Sequence, residues 1–329
     1  MQIKSCLLCF CGKETMRYKT LGMTGLKVSE MALGTWGIGG VGWDDVPVEK
    51  RQDAIKAAIE CGINFIDTAP AYNAGVAERH VGQVLSDMKM REKVVISTKC
   101  GTKYVDGKYI RTCKSDDIKR QIVESLGNLK SDYIDIYLIH WPDPEVPFEE
   151  TMKLLESFKE QKLIRHIGVS NFDITQMEQA SQFAPIEVFQ PQYSMVARDN
   201  ETTIKWAYAH NIGVMSYGSL GGGILTGKIR EPKVYAPNDN RSRFYKHFQE
   251  PMFSKVMKVV DVMDEISAQH HDVPLSQIAI NWATQKEFIT SSIVGAQSRK
   301  NVEENAAAFD WSLSDEEMAK LDRQIEKLQ

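Results

Sequence analysis

The 329-residue chain has no long apolar run. Its most apolar early stretch lies within MQIKSCLLCFCGKET and spans about six residues. A signal-peptide core needs ~7–15 such residues and a membrane-spanning helix ~20. No small-x-small cleavage site follows. A strong charge of one sign is missing as well: 40 basic residues face 44 acidic ones, for a net charge of -4. That balance gives no global field to draw in nucleic acid or an anionic membrane, and neither is expected as a partner. A disulfide framework is absent too. Six cysteines (Cys6, Cys9, Cys11, Cys61, Cys100 and Cys113) are scattered through the chain, which points to a reducing compartment and hence the cytoplasm. Cys6, Cys9 and Cys11 stand close together, but no second Cys or His pair has zinc-ligand spacing, so no metal is expected. No linker-like or low-complexity stretch divides the chain. Residues 1–15 read as a dispensable extension and residues 16–329 as one domain.

What is present is a rhythm. RYKTLGMTGLKVSE (Arg17–Glu30) has two short runs flanking Gly22-Met23-Thr24-Gly25, the pattern of a hairpin. Eight apolar runs follow: 31–35, 64–68, 94–99, 134–140, 166–170, 188–192, 213–217 and 290–295. Helical patterns lie between most of them. Ile118, Ile122, Leu126 and Leu129 mark one helix face, with Ser115 or Asp116 as the expected cap. Residues 151–161 and 256–269 read similarly. Gly62 and Gly213 stand where helices should stop. Continuous apolar strands separated by helices imply a parallel sheet covered by helices. Eight such units in this length fit a (β/α)8 barrel. A doubly wound sheet would need G-x-G-x-x-G between a strand and a helix. The only early candidate, GTWGIGG (Gly34–Gly40), runs on into VGWDDVP rather than a helix. One segment, residues 218–251, breaks the rhythm after the seventh strand. It reads as a long functional loop on the C-terminal face.

The strand ends carry the chemistry. Asp67 ends the second strand, Lys99 the third and His140 the fourth. Ser170 and Asn171 end the fifth, Gln192 lies at the sixth and Tyr217 ends the seventh. Tyr72 sits in the loop after Asp67. In a barrel all of these converge on one rim. A free tyrosine, with a pKa near ~10, is a weak acid at neutral pH. An adjacent ammonium favours its phenolate, and Lys99 is expected to play that part and lower the pKa. Asp67 would hold Lys99 charged, and His140 would bind a substrate oxygen. This set makes a general acid aimed at a carbonyl oxygen on which charge develops.

The chain resembles the aldo-keto reductases. The stretches that carry the resemblance are DTAPAYNAGVAERHVG (Asp67–Gly82), ISTKCG, YLIHWPDP, HIGVSNF, SYGSLGGGILTGK and IVGAQSRKNVEEN, in that order. Together with YKTLGMTGLKVSEMALGTW they cover essentially everything from Met16 onward. The closest flavour is the branch of general stress reductases, inositol-utilisation proteins and channel β-subunit-like proteins. The resemblance implies Asp67, Tyr72, Lys99 and His140 as the catalytic tetrad, with Tyr72 the proton donor. It implies a nicotinamide cofactor touching Gly34, Thr35 and Trp36, with Ser170, Asn171 and Gln190 on its carboxamide and Tyr217 stacked on its ring. Ser219, Leu220, Gly221, Gly223 and Lys228 would follow the pyrophosphate, inside a loop that closes over the cofactor. Gly295, Gln297, Ser298, Arg299, Lys300, Glu304 and Asn305 would hold the adenosine end. Asn301 stands where many relatives carry arginine. The basic pair Arg299-Lys300 makes NADPH the expected cofactor, with NADH possible.

Trp36 and Trp141 are the expected walls of the substrate pocket, aided by Trp43, residues 101–111 and Phe244-Tyr245. The expected activity is reversible reduction of an aldehyde or ketone to an alcohol by a monomer or weak homo-oligomer. Two other readings stay open: an NAD-dependent sugar or inositol dehydrogenase, and a cofactor-sensing partner of another protein with slow chemistry.

Overall fold

The computed structural model describes residues 15–328 apart from 41, 43–45, 106–107 and 237–238. Cys6, Cys9, Cys11, Trp43 and nearly all of the expected extension lie outside the described residues. Eight parallel strands close a barrel: β1 (Met31–Gly34), β2 (Phe65–Asp67), β3 (Val95–Cys100), β4 (Ile134–Ile139), β5 (Ile164–Ser170), β6 (Val188–Gln190), β7 (Gly213–Ser216) and β8 (Ser291–Gly295). They pair in chain order, and β8 closes on β1 with Ile293 opposite Ala32. Each expected strand is present, and the boundaries shift by a residue or two, as strand ends commonly do. Helices cover the outside, as a sheet apolar on both faces requires. Inside, Ala32, Phe65, Ile136, Leu138, Val188, Met215 and Ile293 pack together.

The hairpin expected near the start joins Tyr18–Thr20 to Lys27–Ser29. It plugs the N-terminal end of the barrel, where Leu21 and Val28 enter the interior cluster. This explains Gly213, which does not end a helix. The preceding helix, Glu201–Ala209, is followed by left-handed Asn211. Gly213 opens β7, and a Cβ there would lie 2.6 Å from the Leu21 side chain. Gly62, by contrast, does follow a helix in the left-handed region (φ +82).

Two other expectations change. The helix Ser115–Leu129 begins after Lys114, and neither Ser115 nor Asp116 caps it. Ser115 instead donates to Glu150 and Asp116 lies in the first turn. Residues 218–251 are not one structureless loop. They contain the 3-10 turn Gly221–Thr226, the short helix Asn240–Phe244 and a second 3-10 turn at Lys246–Phe248. Residues 101–111 form an antiparallel hairpin, Thr102–Val105 with Lys108–Arg111. Among the described residues no helix is long and apolar enough to cross a membrane, and no cluster of side chains could hold a metal ion.

Two helical glycines test the packing that sets β2 beside β3. A Cβ on Gly82, in helix Val76–Met88, would lie 2.4 Å from the Asn128 carbonyl oxygen of helix Ser115–Leu129. A Cβ on Gly127 would meet nothing within 4 Å. Alanine has the better helix propensity by about 1 kcal/mol at either site. At Gly82 the backbone clash outweighs it, and Gly82→Ala is expected to lose about 1–3 kcal/mol. Gly127→Ala is expected to gain about 0.5–1 kcal/mol. Urea unfolding midpoints of the two variants check the opposite signs.

Candidate active site

Register brings the acid and the ammonium together. Asp67 stands opposite Ser97 across β2 and β3. Side chains alternate along a strand, so Lys99, two residues beyond Ser97, faces the interior with Asp67. Lys99 Nζ donates to Asp67 Oδ1 and Oδ2 at 2.8 Å each and to the Thr68 carbonyl at 2.9 Å. Asp67 Oδ1 also accepts from Ser97 Oγ and Gln190 Nε2, each at 2.8 Å. Both charged groups are fully buried. Such a pair survives burial only when its polar atoms are hydrogen-bonded this completely.

Tyr72 arrives by a tight turn. Pro70 ends the extended run, and Asn73, Ala74 and Gly75 then take positive φ in succession. This swings the chain into helix Val76–Met88 and leaves Tyr72 pointing back at the rim. Its hydroxyl lies 3.2 Å from Lys99 Nζ. His140, directly after β4, presents its ring edge-on to Tyr72 at 6.3 Å and 85°. Its Nδ1 is buried without a hydrogen-bond partner.

The electrostatics correct one expectation. Burial first, and then the Asp67 charge, push the Tyr72 phenol well above its ordinary value. Lys99 does not lower it in the resting site, because Asp67 already faces the ammonium. Burial pulls Lys99 below the usual lysine value, and Asp67 opposes the shift. Burial, aided by Lys99, pulls His140 well below the usual imidazole value. At neutral pH the site therefore holds one ion pair, a protonated phenol and a neutral imidazole.

A cavity of about 570 Å3 opens above this set. One end is walled by Trp36, stacked on Tyr72 at 6.2 Å, by Trp141 and by Tyr109. From there it runs past Asn171 and Tyr217, along Ser219, Leu220, Gly222 and Gly223, to Gln297, Glu304 and Asn305. Asn171 has φ +60 and donates to the His140 carbonyl and to Ser170 Oγ, both at 3.0 Å. Tyr217 donates to Asn171 Oδ1 at 2.9 Å, which fixes the amide. Ser219 Oγ is tied to Ser292 Oγ and the Ile293 carbonyl. Gly222 and Gly223 have left-handed backbone, and a Cβ on Gly223 would meet nothing within 4 Å. The wall there is bare main chain. Across the cavity, the Asn240 amide donates to the Gly42 carbonyl at 3.2 Å, and Phe244 meets Trp36 edge-on at 5.6 Å.

The profile of the Aldo/keto reductase family matches residues 30–326. The chain belongs to the aldo/keto reductase family. It is 32% identical over 312 residues to the aldo-keto reductase YhdN of Bacillus subtilis, covering 94% of each. It is also 32% identical over 332 residues to an NADH-specific methylglyoxal reductase of Escherichia coli, covering 95% of this chain and 100% of that one. The solved structure of a glycerol dehydrogenase from Gluconobacter oxydans is similar, with a TM-score of 0.84, 30% identity and 96% of each chain covered.

Within this aldo/keto reductase the sequence-derived site is largely gathered in one place. Gly34, Thr35, Trp36, Ser170, Gln190, Lys228 and Gly295 line the same cavity as the residues named above. Four of the expected residues are not brought onto the cavity wall. Arg299 lies off the cavity wall, where its guanidinium pairs with Asp53 at 2.8 Å and Glu60 at 2.6 Å. Lys300 is exposed and does not line the cavity. Ser298 is occupied as the N-cap of helix Arg299–Ala306, accepting from the Asn301 amide. Gly221 sits behind the wall, with its carbonyl bonded to His247 Nε2. Gln190 lines the cavity, but its amide is committed to Asp67. Residues the sequence reading missed include Asn73, Asn240, Arg241 and Ser276. Their only signal was membership of loops near the rim, and Ser276, on a helix, had none.

Removing Asp67's charge leaves Lys99 buried without a counterion. Asp67→Asn is expected to cost about 3–5 kcal/mol of stability, the usual consequence of breaking one side of a buried pair. Chemical denaturation of the two proteins measures it. A loss below about 1 kcal/mol would show that the pair does not hold the rim together.

Proposed function

We propose that this protein reduces aldehydes and ketones with a nicotinamide dinucleotide, and that Tyr72 is the general acid. The observation that carries the reading is the Tyr72 hydroxyl 3.2 Å from a lysine held by a fully hydrogen-bonded carboxylate. The cavity's lining fits the dinucleotide: the remaining acceptor capacity of Asn171 Oδ1 and Ser170 Oγ for the carboxamide N–H groups, an aromatic ring at Tyr217, bare glycine backbone for phosphates and acceptors at the far end. Bound there, the nicotinamide supplies hydride to the carbonyl carbon. The chain's residues handle the other half. As negative charge builds on the carbonyl oxygen, Tyr72 gives up its proton, and Lys99 stabilises the phenolate left behind. His140, kept neutral, offers the oxygen a hydrogen bond without competing for the proton. Trp36 and Trp141 shield the exchange from water.

A high phenol pKa suits an acid that must be loaded before each turnover. It also sets the pH dependence. Burial keeps Tyr72 protonated and His140 neutral as pH rises above about 7, so any alkaline fall in the reduction rate is expected to report loss of the Lys99 proton, which burial pulls below the usual lysine range. Tyr72→Phe is expected to lower kcat for carbonyl reduction by about 100-fold or more at unchanged dinucleotide affinity. Survival within tenfold would remove Tyr72 from the acid's role.

For the dinucleotide's phosphates, the supporting residues differ from those the sequence suggested. The cations on the cavity wall are Lys228 and Arg241, both on the segment after β7. Arg241 is held by Asp239, a neighbour an incoming phosphate can displace. Arg241→Gln is therefore expected to weaken NADPH and NADH binding alike, by about tenfold in calorimetry, since its neighbours Asn240 and Phe244 sit at the Gly42 and Trp36 end, where the phosphates common to both dinucleotides can be met. Arg299→Gln is expected to leave the NADPH dissociation constant within about twofold, since its exposed pairs contribute little to the cavity. A larger loss of NADPH affinity on Arg299→Gln than on Arg241→Gln would return the role to Arg299.

A further inference from the structure

We propose that Arg111 is a substrate anchor, and that the preferred substrates are aldehydes or ketones carrying a carboxylate several bonds from the carbonyl. The proposal rests on the catalytic reading above and adds the substrate class to it.

Arg111 closes the hairpin that follows β3, paired with Thr102 across the ladder. Alternation puts Thr102, Tyr104, Tyr109 and Arg111 on one face of that hairpin. Thr102 and Tyr109 from this face line the cavity, and the Tyr109 hydroxyl accepts from the Ala74 amide, two residues past Tyr72. The opposite face is tied down elsewhere, with Lys103 bonded to Asp117 at 3.0 Å. Arg111 lies over Trp141, its guanidinium carbon 4.8 Å from the ring centroid, at the edge of the cavity wall that Trp141, Thr102 and Tyr109 form rather than in its lining. The Trp141 ring is in turn stacked beside His140 at 6.5 Å. A chain of up to about eight bonds spans that distance.

The neighbouring carboxylates are already engaged. Asp117 binds Lys103, Thr112 and Arg120. Asp143 accepts from the backbone amides of Cys113 and Glu145. Among the described residues no acidic side chain pairs with Arg111. An exposed guanidinium resting over an aromatic ring, with its fork free of protein carboxylates, can bind a carboxylate bidentately. Stacking removes part of the ordering cost such a contact otherwise carries.

The test compares kcat/KM for 7-oxoheptanoate, whose carbonyl and carboxylate oxygens are eight bonds apart, with that for heptanal, an uncharged aldehyde of the same carbon count. The expected ratio in the wild-type enzyme is about tenfold in favour of the acid, seated in KM and shrinking as salt is raised. Arg111→Gln is expected to bring the ratio close to one, and Arg111→Lys to restore part of it. A wild-type ratio at or below one overturns the proposal. So does a ratio that Arg111→Gln leaves in place in a variant with an unaltered thermal midpoint. Failure to reduce any carbonyl would overturn the catalytic reading as well, whereas reduction without preference for the acid overturns this proposal alone.

Discussion

The buried Asp67–Lys99 pair is the constraint on which the rim depends. Moving two ions out of water costs several kcal/mol each, and only saturated hydrogen bonding offsets that. The partners come from separate parts of the barrel: Ser97 from β3, Gln190 from β6 across the interior, and the Thr68 carbonyl from the start of the turn. Strand register, barrel closure and the cluster of Asp67, Lys99 and Tyr72 are therefore one object. A slip of one residue between β2 and β3 would turn Lys99 into the helical layer. The pair would then be lost rather than merely displaced.

The same pair sets the electrical character of the site. Carboxylate and ammonium cancel, phenol and imidazole are neutral, and the quartet carries no net charge at rest. Charge that appears on a substrate oxygen is then not offset by any net charge of the quartet beside it. Fixed dipoles act most strongly there, because they need no reorganisation at the moment of reaction.

The barrel and tetrad were readable because both are local in sequence. Each apolar run names its own strand, and Asp67, Lys99 and His140 each end one. What was not readable depends on distant chain. Arg299 looks like a phosphate ligand beside Lys300, and nothing nearby reveals that Asp53 and Glu60, on a helix some 240 positions earlier, already claim it. Gly213 looks like a helix terminator until Leu21 is seen against it. The shift at Tyr72 was misjudged in sign because sequence shows which charges are near but not how deeply a group is buried. Here burial outweighed the neighbouring ammonium.

The contact between the segments after β1 and β7 has a kinetic consequence. Asn240 and Phe244 reach over the cavity to Gly42 and Trp36 through one hydrogen bond and one ring pair. Together these are worth about 1–3 kcal/mol. At that strength the bridge stands open in roughly one molecule in five to one in two hundred. A dinucleotide threaded beneath it would be released through frequent brief partings rather than through a slow rearrangement of the barrel. Its residence time would follow from the contacts the dinucleotide itself makes, and the bridge would act as a light latch.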